Sequence, residues 1–242
     1  MSFLAHVFGW FTTSGNWTGP QGIPTLFWNQ IKLSVAVVLT AVVLGGGLGV
    51  VLGHTGRGGL VAVNAGNAFR AVPTLALLTL LAIQPAISLK WGGFLAAWLA
   101  LTALAIPPIL TNTYVGMREV DADVRDAAKA MGLTGGQVLR TVEAPLALPF
   151  VMAGVRTATI EVVATSTLAA YVSYADLGTP VIAGLNTNDT VVAFSGAILV
   201  AVLAGLVTLV LTLLTRALTP LPLRRRLRRG PLAGAGIGVS AT

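Results

Sequence analysis

The sequence predicts an all-α integral membrane protein with about five transmembrane helices, or six if one additional short segment also crosses. Two observations lead to this fold class. Of the 242 residues, 55% are hydrophobic and only 10% are charged, with a mean hydropathy of +0.85, whereas a soluble domain carries about 25% charged residues. In addition, several runs approach or exceed the roughly 20 apolar residues that a helix needs to cross a bilayer.

Five apolar runs account for the predicted spans. In chain order they are residues 33–53, 71–89, 91–117, 145–172 and 190–215. The fourth run differs from the others because it contains two charged residues, Arg156 and Glu161. Residues 58–70 precede the second run, and they either add a sixth crossing or form the first half of a helix that is broken near Pro73.

Three glycines in the first run, Gly45, Gly49 and Gly53, recur every four residues. In a helix, small residues at this spacing lie on one face and allow a second helix to approach closely. We therefore expect this face to pack against another span. The alternative is that these positions reflect only the general frequency of glycine in membrane helices.

Basic residues predict the orientation of the chain, because Lys and Arg collect in cytoplasmic loops. They follow the first, third and last runs, at Arg57, Arg118, Arg125, Lys129, Arg140, Arg216, Arg224, Arg225, Arg226, Arg228 and Arg229. Five crossings place all of them on the cytoplasmic side. This predicts an external N-terminal segment (residues 1–25), a transmembrane domain (26–218) and a basic, disordered cytoplasmic tail (219–242).

Composition and missing motifs exclude several functions. The net charge is +7, and many of the basic residues that produce it follow the last apolar run directly, beside the membrane. We therefore expect them to contact lipid headgroups and not nucleic acid. There are no cysteines, and His6 and His54 are far apart in the sequence, so no metal site is expected. No phosphate-binding loop and no catalytic motif is present, so we expect neither ATP binding nor catalysis by this chain.

The loop between the third and fourth runs, residues 118–144, is hereafter the charged loop. Its first half is strongly helix-forming, and Asp121 or Asp123 can cap that helix. Gly132 permits a sharp turn, and Thr134 can cap a second short helix before the next span. The alternative is a loop that only connects two spans.

Small residues within the loop and two prolines after it have predicted roles of their own. We expect Ala127, Ala128, Ala130 and Met131 to form a small-residue surface for a partner protein. Pro145 and Pro149 fit the start of the next membrane helix, where a missing N–H has little effect.

The spacing in this loop resembles a known motif. Asp126-Ala127-Ala128, three residues, Gly132, nine residues, Val142, one residue and Ala144-Pro145 is similar to the EAA loop, E-A-A-x3-G-x9-I-x-L-P. That loop marks permease subunits of binding-protein-dependent ABC importers. Asp126, Val142 and Ala144 replace Glu, Ile and Leu, so charge and apolarity are kept.

The resemblance extends from about residue 26 to residue 218. The stretches "FRAVPTLALLTLLA", "IPPILTNTYVGMREVDADVRDAAKAMGLT", "LALPFVMAGVRTATIEVVATSTLAAYV" and "LNTNDT" resemble the osmoprotectant branch, whose members import glycine betaine, choline, carnitine or proline. Permeases of methionine importers share parts of the pattern and are the nearest alternative.

The resemblance implies a type I ABC importer permease fold in the bacterial cytoplasmic membrane, working by alternating access. The charged loop would contain the coupling helix that docks on a separate ABC ATPase subunit, and ATP and Mg²⁺ would bind to that subunit. The resemblance also implies a second permease copy or a homologous permease, and an extracytoplasmic substrate-binding protein.

Three charged residues lie inside predicted membrane segments: Arg156 and Glu161 in the fourth apolar run, and Arg70 at the end of residues 58–70. Each is costly there unless it is paired or faces water. Arg156 and Glu161 are five residues apart, which does not fit one helix face. We therefore predict an ion pair between Arg70 and Glu161 beside the translocation path. It either gates the path or only bridges two helices.

Two alternatives concern the transport class and the tyrosines. A secondary transporter should show internal repeats with paired broken helices, and none is evident in the sequence. Tyr171 and Tyr174 fall near a predicted membrane interface, where they either join an aromatic belt or contact substrate or binding protein.

Overall fold

A computed structural model describes residues 2–85, 87 and 93–218, and every element in these ranges is helical. The α-helices are α1 (Phe3–Thr12), α2 (Ile23–Ala41), α3 (Gly47–Thr55), α4 (Gly59–Phe69), α5 (Thr74–Ala82), α6 (Gly93–Arg118), α7 (Ala122–Ala130), α8 (Gly135–Val138), α9 (Ala144–Thr165), α10 (Gly178–Thr187) and α11 (Thr190–Leu218). π-Helical turns at Val42–Gly46 and Leu139–Glu143 and 3₁₀ turns at Ser14–Trp17 and Ser166–Val172 join some of them.

Four helical segments of the described chain are long and apolar enough to cross a membrane. They are Ile23–Thr55, Gly93–Arg118, Gly135–Val172 and Thr190–Thr215. They match the first, third, fourth and fifth predicted runs, so the described residues contain four of the about five predicted crossings. Two begin with local signals: Pro24 occupies the first turn of α2, and Asp189 Oδ1 accepts hydrogen bonds from the backbone N–H of Val191 and Val192 at the start of α11.

The region around Pro73 is a broken helix and not an additional full crossing. α4 has 11 residues and ends at Phe69, and α5 begins at Thr74 after Pro73. Eleven residues span only about 16 Å, roughly half the hydrocarbon thickness. Residues 86 and 88–89 of the second predicted run, and residues 91–92 of the third, lie outside the described residues.

Helix α6 is at the centre of the bundle and α11 is at its periphery. In the most apolar 18-residue stretch of each helix, 61% of the residues of α6 are buried, but only 6% of the residues of α11 are buried. α6 contacts α2, α3, α5 and α9. The core contains Leu33, Val37, Leu78, Leu101, Ala105, Ile109, Ala158 and Val162. The wide apolar surface of α11 suits contact with lipid.

The glycine face of the first span packs directly on α6, which confirms the sequence prediction. A Cβ at Gly45 would lie 2.9 Å from the carbonyl oxygen of Ile106, and one at Gly49 would lie 2.7 Å from Thr113 Cβ. A Cβ at Gly53 would overlap the side chain of Met117. Only glycine permits this approach of the two backbones.

We expect Gly49→Ala to lower the melting temperature of the protein in detergent, because overpacking of a close helix contact costs about 1–3 kcal/mol. The matched control is Gly47→Ala, since a Cβ there meets nothing within 4 Å. Both changes bring the same gain in helix propensity, so the difference between them isolates the packing effect. Equal melting temperatures would contradict close packing at Gly49.

The N-terminal helix identifies the two ends of the bundle. α1 packs against α11, where the rings of Phe3 and Phe194 lie 5.3 Å apart. It therefore lies at the end where α11 begins. The charged loop lies at the opposite end, because it contacts His54 near the end of α3. The basic tail, residues 219–242, lies outside the described residues.

Candidate functional site

The charged loop begins with a short capped helix, α7. Asp121 Oδ1 accepts a hydrogen bond from the backbone N–H of Asp123 at 3.0 Å, so Asp121 is the N-cap. Asp126 lies on the exposed side of α7 and pairs with Lys129 at 3.3 Å. Both side chains of this pair are mostly exposed, so we expect the pair to contribute little to stability.

A glycine turn ends α7 and fixes the direction of the chain. Gly132 has φ +87°, its N–H donates to the carbonyl of Lys129 at 2.8 Å, and the N–H of Leu133 donates to the carbonyl of Ala128 at 3.2 Å. These two bonds form a Schellman motif, which requires a left-handed residue at this position. The sharp turn predicted at Gly132 is confirmed.

The second helix of the loop, α8, begins at the predicted cap. The backbone N–H of Thr134 donates to Gln137 Oε1 at 2.7 Å as part of a capping box. α8 then continues through the π-helical turn directly into α9, so the next membrane helix starts earlier than predicted. Pro145 consequently lies in the first turn of α9, whereas Pro149 lies inside that helix and not at its start.

The outer face of α7 carries an apolar stripe. Val124 is 44% exposed and Met131 is 75% exposed, with exposed Ala127 between them at helical spacing. Ala130 is also exposed, but Ala128 is buried. The prediction that Ala128 lies on the partner surface is therefore wrong, because this residue faces the bundle and packs within the chain.

The remaining motif positions lie at the base of the loop, next to the bundle. Val142 is half-buried in the π-helical turn, while Ala144 and Pro145 are exposed. The motif therefore divides into an outer part on α7 and a basal part beside α9.

Three charged or titratable side chains meet where the charged loop joins the bundle. Glu143 Oε2 lies 2.5 Å from His54 Nδ1, and Glu143 Oε1 lies 3.1 Å from Arg125 Nε. Arg125 Nη2 also donates to the carbonyl of Met117 at 2.5 Å. We call His54, Arg125 and Glu143 the loop cluster; it connects α3, α6, α7 and the turn before α9.

The sequence did not point to the loop cluster, because its three members come from distant parts of the chain. In the sequence, His54 stands out only as a residue that can bind a metal, and Arg125 only as one of the basic residues that predict the orientation of the chain. In the part of the chain that the structure describes, no group of three or more His, Asp or Glu residues is placed to hold a metal. The available signal was Glu143, a carboxylate at the start of an apolar span.

Arg70 and Glu161 form an ion pair between the break after α4 and the middle of α9. Both side chains are partly exposed, and Glu161 Oε2 is buried with no hydrogen-bond partner among the described residues. Arg156 is exposed on α9, and within the same described ranges it has no ion pair or hydrogen bond. The structure therefore brings together two of the three intramembrane charges.

At the opposite end of the bundle, a polar network ties residues 173–178 to α2. Asn29 Nδ2 donates to the carbonyl of Ala175, and the Tyr174 hydroxyl donates to the carbonyl of Asn29, both at 2.9 Å. Gln30 accepts from the N–H of Leu177 at 3.1 Å. Tyr174 is therefore a structural residue of this network. Tyr171 is exposed, and both of its proposed roles stay open.

Asp176 is fully buried in this network, and its Oδ1 accepts a hydrogen bond from the N–H of Gly178 at 2.8 Å. Burial raises the pKa of Asp176 from its ordinary value of 3.8 to about 7. Burial likewise raises the pKa of Tyr174 to about 12, with a contribution from the negative charge of Asp176. The Tyr174 hydroxyl therefore stays protonated and remains a donor at neutral pH.

The raised pKa of Asp176 predicts a pH-dependent stability. Between the unfolded value of 3.8 and the folded value of about 7, the folded protein binds more protons than the unfolded chain, so stability falls as pH rises and then levels off. Asp176→Asn keeps the Oδ1 acceptor but cannot ionise, and we expect it to remove this decline. The melting temperature at pH 5 and pH 8 measures the effect.

The control for that experiment is Asp123→Asn, which changes an exposed aspartate of the charged loop in the same way. We expect it to keep the pH dependence of the wild type. If Asp176→Asn also kept it, the burial of an ionisable Asp176 would not be its cause.

The sequence matches the family described as "Binding-protein-dependent transport system inner membrane component" over residues 41–223. It is 31% identical to the carnitine transport permease protein OpuCD of Listeria monocytogenes serotype 1/2a (strain 10403S), over 93% of this chain and 97% of that protein. It is 34% identical to the choline transport system permease protein OpuBB of Bacillus subtilis (strain 168), over 82% and 89% of the two chains. The glycine betaine/carnitine/choline transport system permease protein OpuCB of the same organism is 33% identical, over 79% and 86%.

Solved structures share the fold. A chain of the MetNI methionine ABC transporter in an inward-facing conformation aligns with a TM-score of 0.70 at 24% identity, covering 80% of this chain and 94% of that one. A chain of an amino acid ABC transporter with histidines aligns with a TM-score of 0.64 at 21% identity, covering 93% and 99%. The helical architecture is thus shared with these chains of ABC transporters.

Proposed function

We propose that this chain, which belongs to the family of binding-protein-dependent transport system inner membrane components, is the permease subunit of an ATP-driven importer of an osmoprotectant. The observation that carries the substrate class is the similarity, at 31–35% identity, to permeases named for carnitine, choline and glycine betaine. The substrates proposed are glycine betaine, choline, carnitine and proline. As a member of this family the chain is a transport component and not an enzyme.

The chain is a multi-pass protein of the inner membrane, and we propose that its N-terminal segment, residues 1–25, faces outward. This orientation is supported by the basic residues at the charged-loop end, namely Arg57, Arg118, Arg125, Lys129 and Arg140. It places the charged loop and the tail, residues 219–242, in the cytoplasm, with residues 26–218 forming the transmembrane permease domain.

In this proposal α7 is the coupling helix, and it docks in a groove of a separate ATPase subunit. The apolar stripe formed by Val124, Ala127 and Met131 supports this role, since a solvent-exposed stripe beside a rigid turn suits a helix-in-groove contact. Asp126 and Gly132 set the charge and direction of the docked face, and Val142, Ala144 and Pro145 support its base. ATP and Mg²⁺ bind to the partner subunit.

Transport then proceeds by alternating access between two permease subunits, which are either two copies of this chain or this chain and a homologue. ATP-driven closure of the ATPase subunits moves the docked coupling helices, and the permeases follow as rigid bodies. An extracytoplasmic binding protein delivers the substrate. The Arg70–Glu161 pair lies beside the translocation path in this scheme.

Reconstitution in liposomes tests the function. The permease is combined with its ATPase and binding protein, and uptake of labelled glycine betaine, choline, carnitine, proline and methionine is measured with and without ATP. We expect ATP-dependent uptake of one or more of the first four compounds. Uptake of methionine alone would overturn the substrate class, and uptake that needs no ATP would favour a secondary transporter.

A further inference from the structure

The loop cluster connects α7 to three spans, and the carboxylate of Glu143 makes two of its contacts. Glu143 contacts His54 at the end of α3 and Arg125 on α7, and Arg125 also donates to the carbonyl of Met117 in α6. We propose that Glu143 is a positioning residue, which fixes the orientation of α7 relative to the spans and thereby sets how much solute moves for each ATP hydrolysed. The transport part of this proposal rests on the docking role of α7 proposed above.

Burial gives these contacts their strength. The side chain of Glu143 is 3% exposed and that of Arg125 is 16% exposed, so neither charge is well solvated. Removal of one partner of a buried ion pair leaves the other charge uncompensated and is strongly destabilising to the local arrangement. The Asp126–Lys129 pair on the outer face of α7 differs, since it is exposed and screened by solvent.

Few other contacts hold α7 in place. Of its nine residues, only Ala128 is fully buried, and its methyl group offers little packing area. The helix is joined to α6 by a short connection and to α8 by the Gly132 turn. Arg125 is therefore the main side chain that attaches α7 to the bundle, and Glu143 holds it in place together with the carbonyl of Met117.

The backbone at Glu143 supports a specific placement. Glu143 ends the π-helical turn Leu139–Glu143, between α8 and α9. One extra residue in a helix rotates the following side chains by about 100°, and π-helical turns are frequent at functional sites. The turn thus sets the direction in which Glu143 faces, towards His54 and Arg125.

Spin labels can report the orientation of α7 directly, because the chain contains no cysteine. Labels are attached at Asp123→Cys on α7 and Val51→Cys on α3, both exposed positions, and the distance between them is measured in the complete transporter. We expect a narrow distribution in the otherwise wild-type protein and a broad one in Glu143→Gln. The matched control is Glu119→Gln, an exposed glutamate at the same end of the bundle, which should stay narrow.

The transport readout is the ratio of solute imported to ATP hydrolysed. We expect Glu143→Gln to lower this ratio about fivefold or more, with the complex assembled and ATPase activity retained. If Glu143→Gln does not assemble, Arg125→Lys takes its place: lysine keeps the positive charge but has no second nitrogen to reach the carbonyl of Met117, so the same broadening is expected.

An unchanged distance distribution in Glu143→Gln, or in Arg125→Lys where that variant takes its place, would overturn the positioning role. A broad distribution with an unchanged transport ratio would overturn its link to coupling. A separate variant, Gly132→Asp, tests whether α7 docks on the ATPase, because this change leaves the loop cluster intact. Normal uptake by Gly132→Asp would show that the docking role is wrong.

Discussion

Uptake should fall at least about tenfold when Gly132 is replaced by aspartate, while the permease itself still folds and inserts. A Cβ at this position meets nothing within 4 Å, so the chain has room for the new side chain. The φ of +87° strains any residue that has a side chain, although aspartate tolerates left-handed backbone better than most residues do. Part of the loss comes from this strain in the turn that directs α7, and part comes from a carboxylate introduced beside Met131, on the surface proposed to dock on the ATPase.

A contact that buries an unpaired charge loses more than the 1.4 kcal/mol that corresponds to tenfold in affinity. Binding of the ATPase to the purified permease and uptake in liposomes measure the two consequences. The control for the added charge is Gly136→Asp, in α8, where a Cβ also meets nothing within 4 Å and the backbone is not left-handed. Its first-turn position favours an acidic residue, so we expect near-normal uptake. Wild-type uptake and assembly in Gly132→Asp would contradict the proposed coupling role of the charged loop.

Reversing one charge of the Arg70–Glu161 pair should reduce uptake about tenfold or more, because it leaves two like charges in contact within the membrane. Arg70→Glu and Glu161→Arg are the single variants, and the double variant with both changes restores an oppositely charged pair. We expect the double variant to recover much of the uptake, measured at equal amounts of assembled transporter.

Two further variants sharpen this test. Glu161→Arg combined with Arg156→Glu should give no rescue, because Arg156 is not paired with Glu161 in the structure. Replacing both Arg70 and Glu161 by methionine separates gating from bridging: a structural bridge can be replaced by apolar residues with little loss, whereas a gate cannot. A charge-swapped double variant that remains as inactive as the single variants would count against the pairing.

Several features could be predicted because the sequence marks them locally. A charge in an apolar run is costly enough to require a partner, and this argument led to the Arg70–Glu161 contact. The repeat of Gly45, Gly49 and Gly53 gave the close contact with α6. The helix cap and the Gly132 turn follow from backbone chemistry that depends on few neighbouring residues.

Other features depend on tertiary packing and could not be read in this way. Alanine is compatible with both buried and exposed positions, and α7 has only nine residues, too few for periodicity to show that Ala128 faces inward. The loop cluster joins His54 and Glu143, which are 89 positions apart. Asp176 gave no local signal of its burial, since an aspartate in a loop is ordinarily exposed.

The direct continuation of α8 through the π-helical turn into α9 has a mechanical consequence. Gly135–Val172 is one helical segment of 38 residues, which corresponds to a rod about 57 Å long. One end of this rod carries Glu143 and the other reaches the polar network around Asp176. For a stiff lever of this length, a tilt of about 5° displaces the far end by about 5 Å. A small tilt of this helix about the charged loop would therefore move its own far end, beside the polar network, by more than the width of a water molecule.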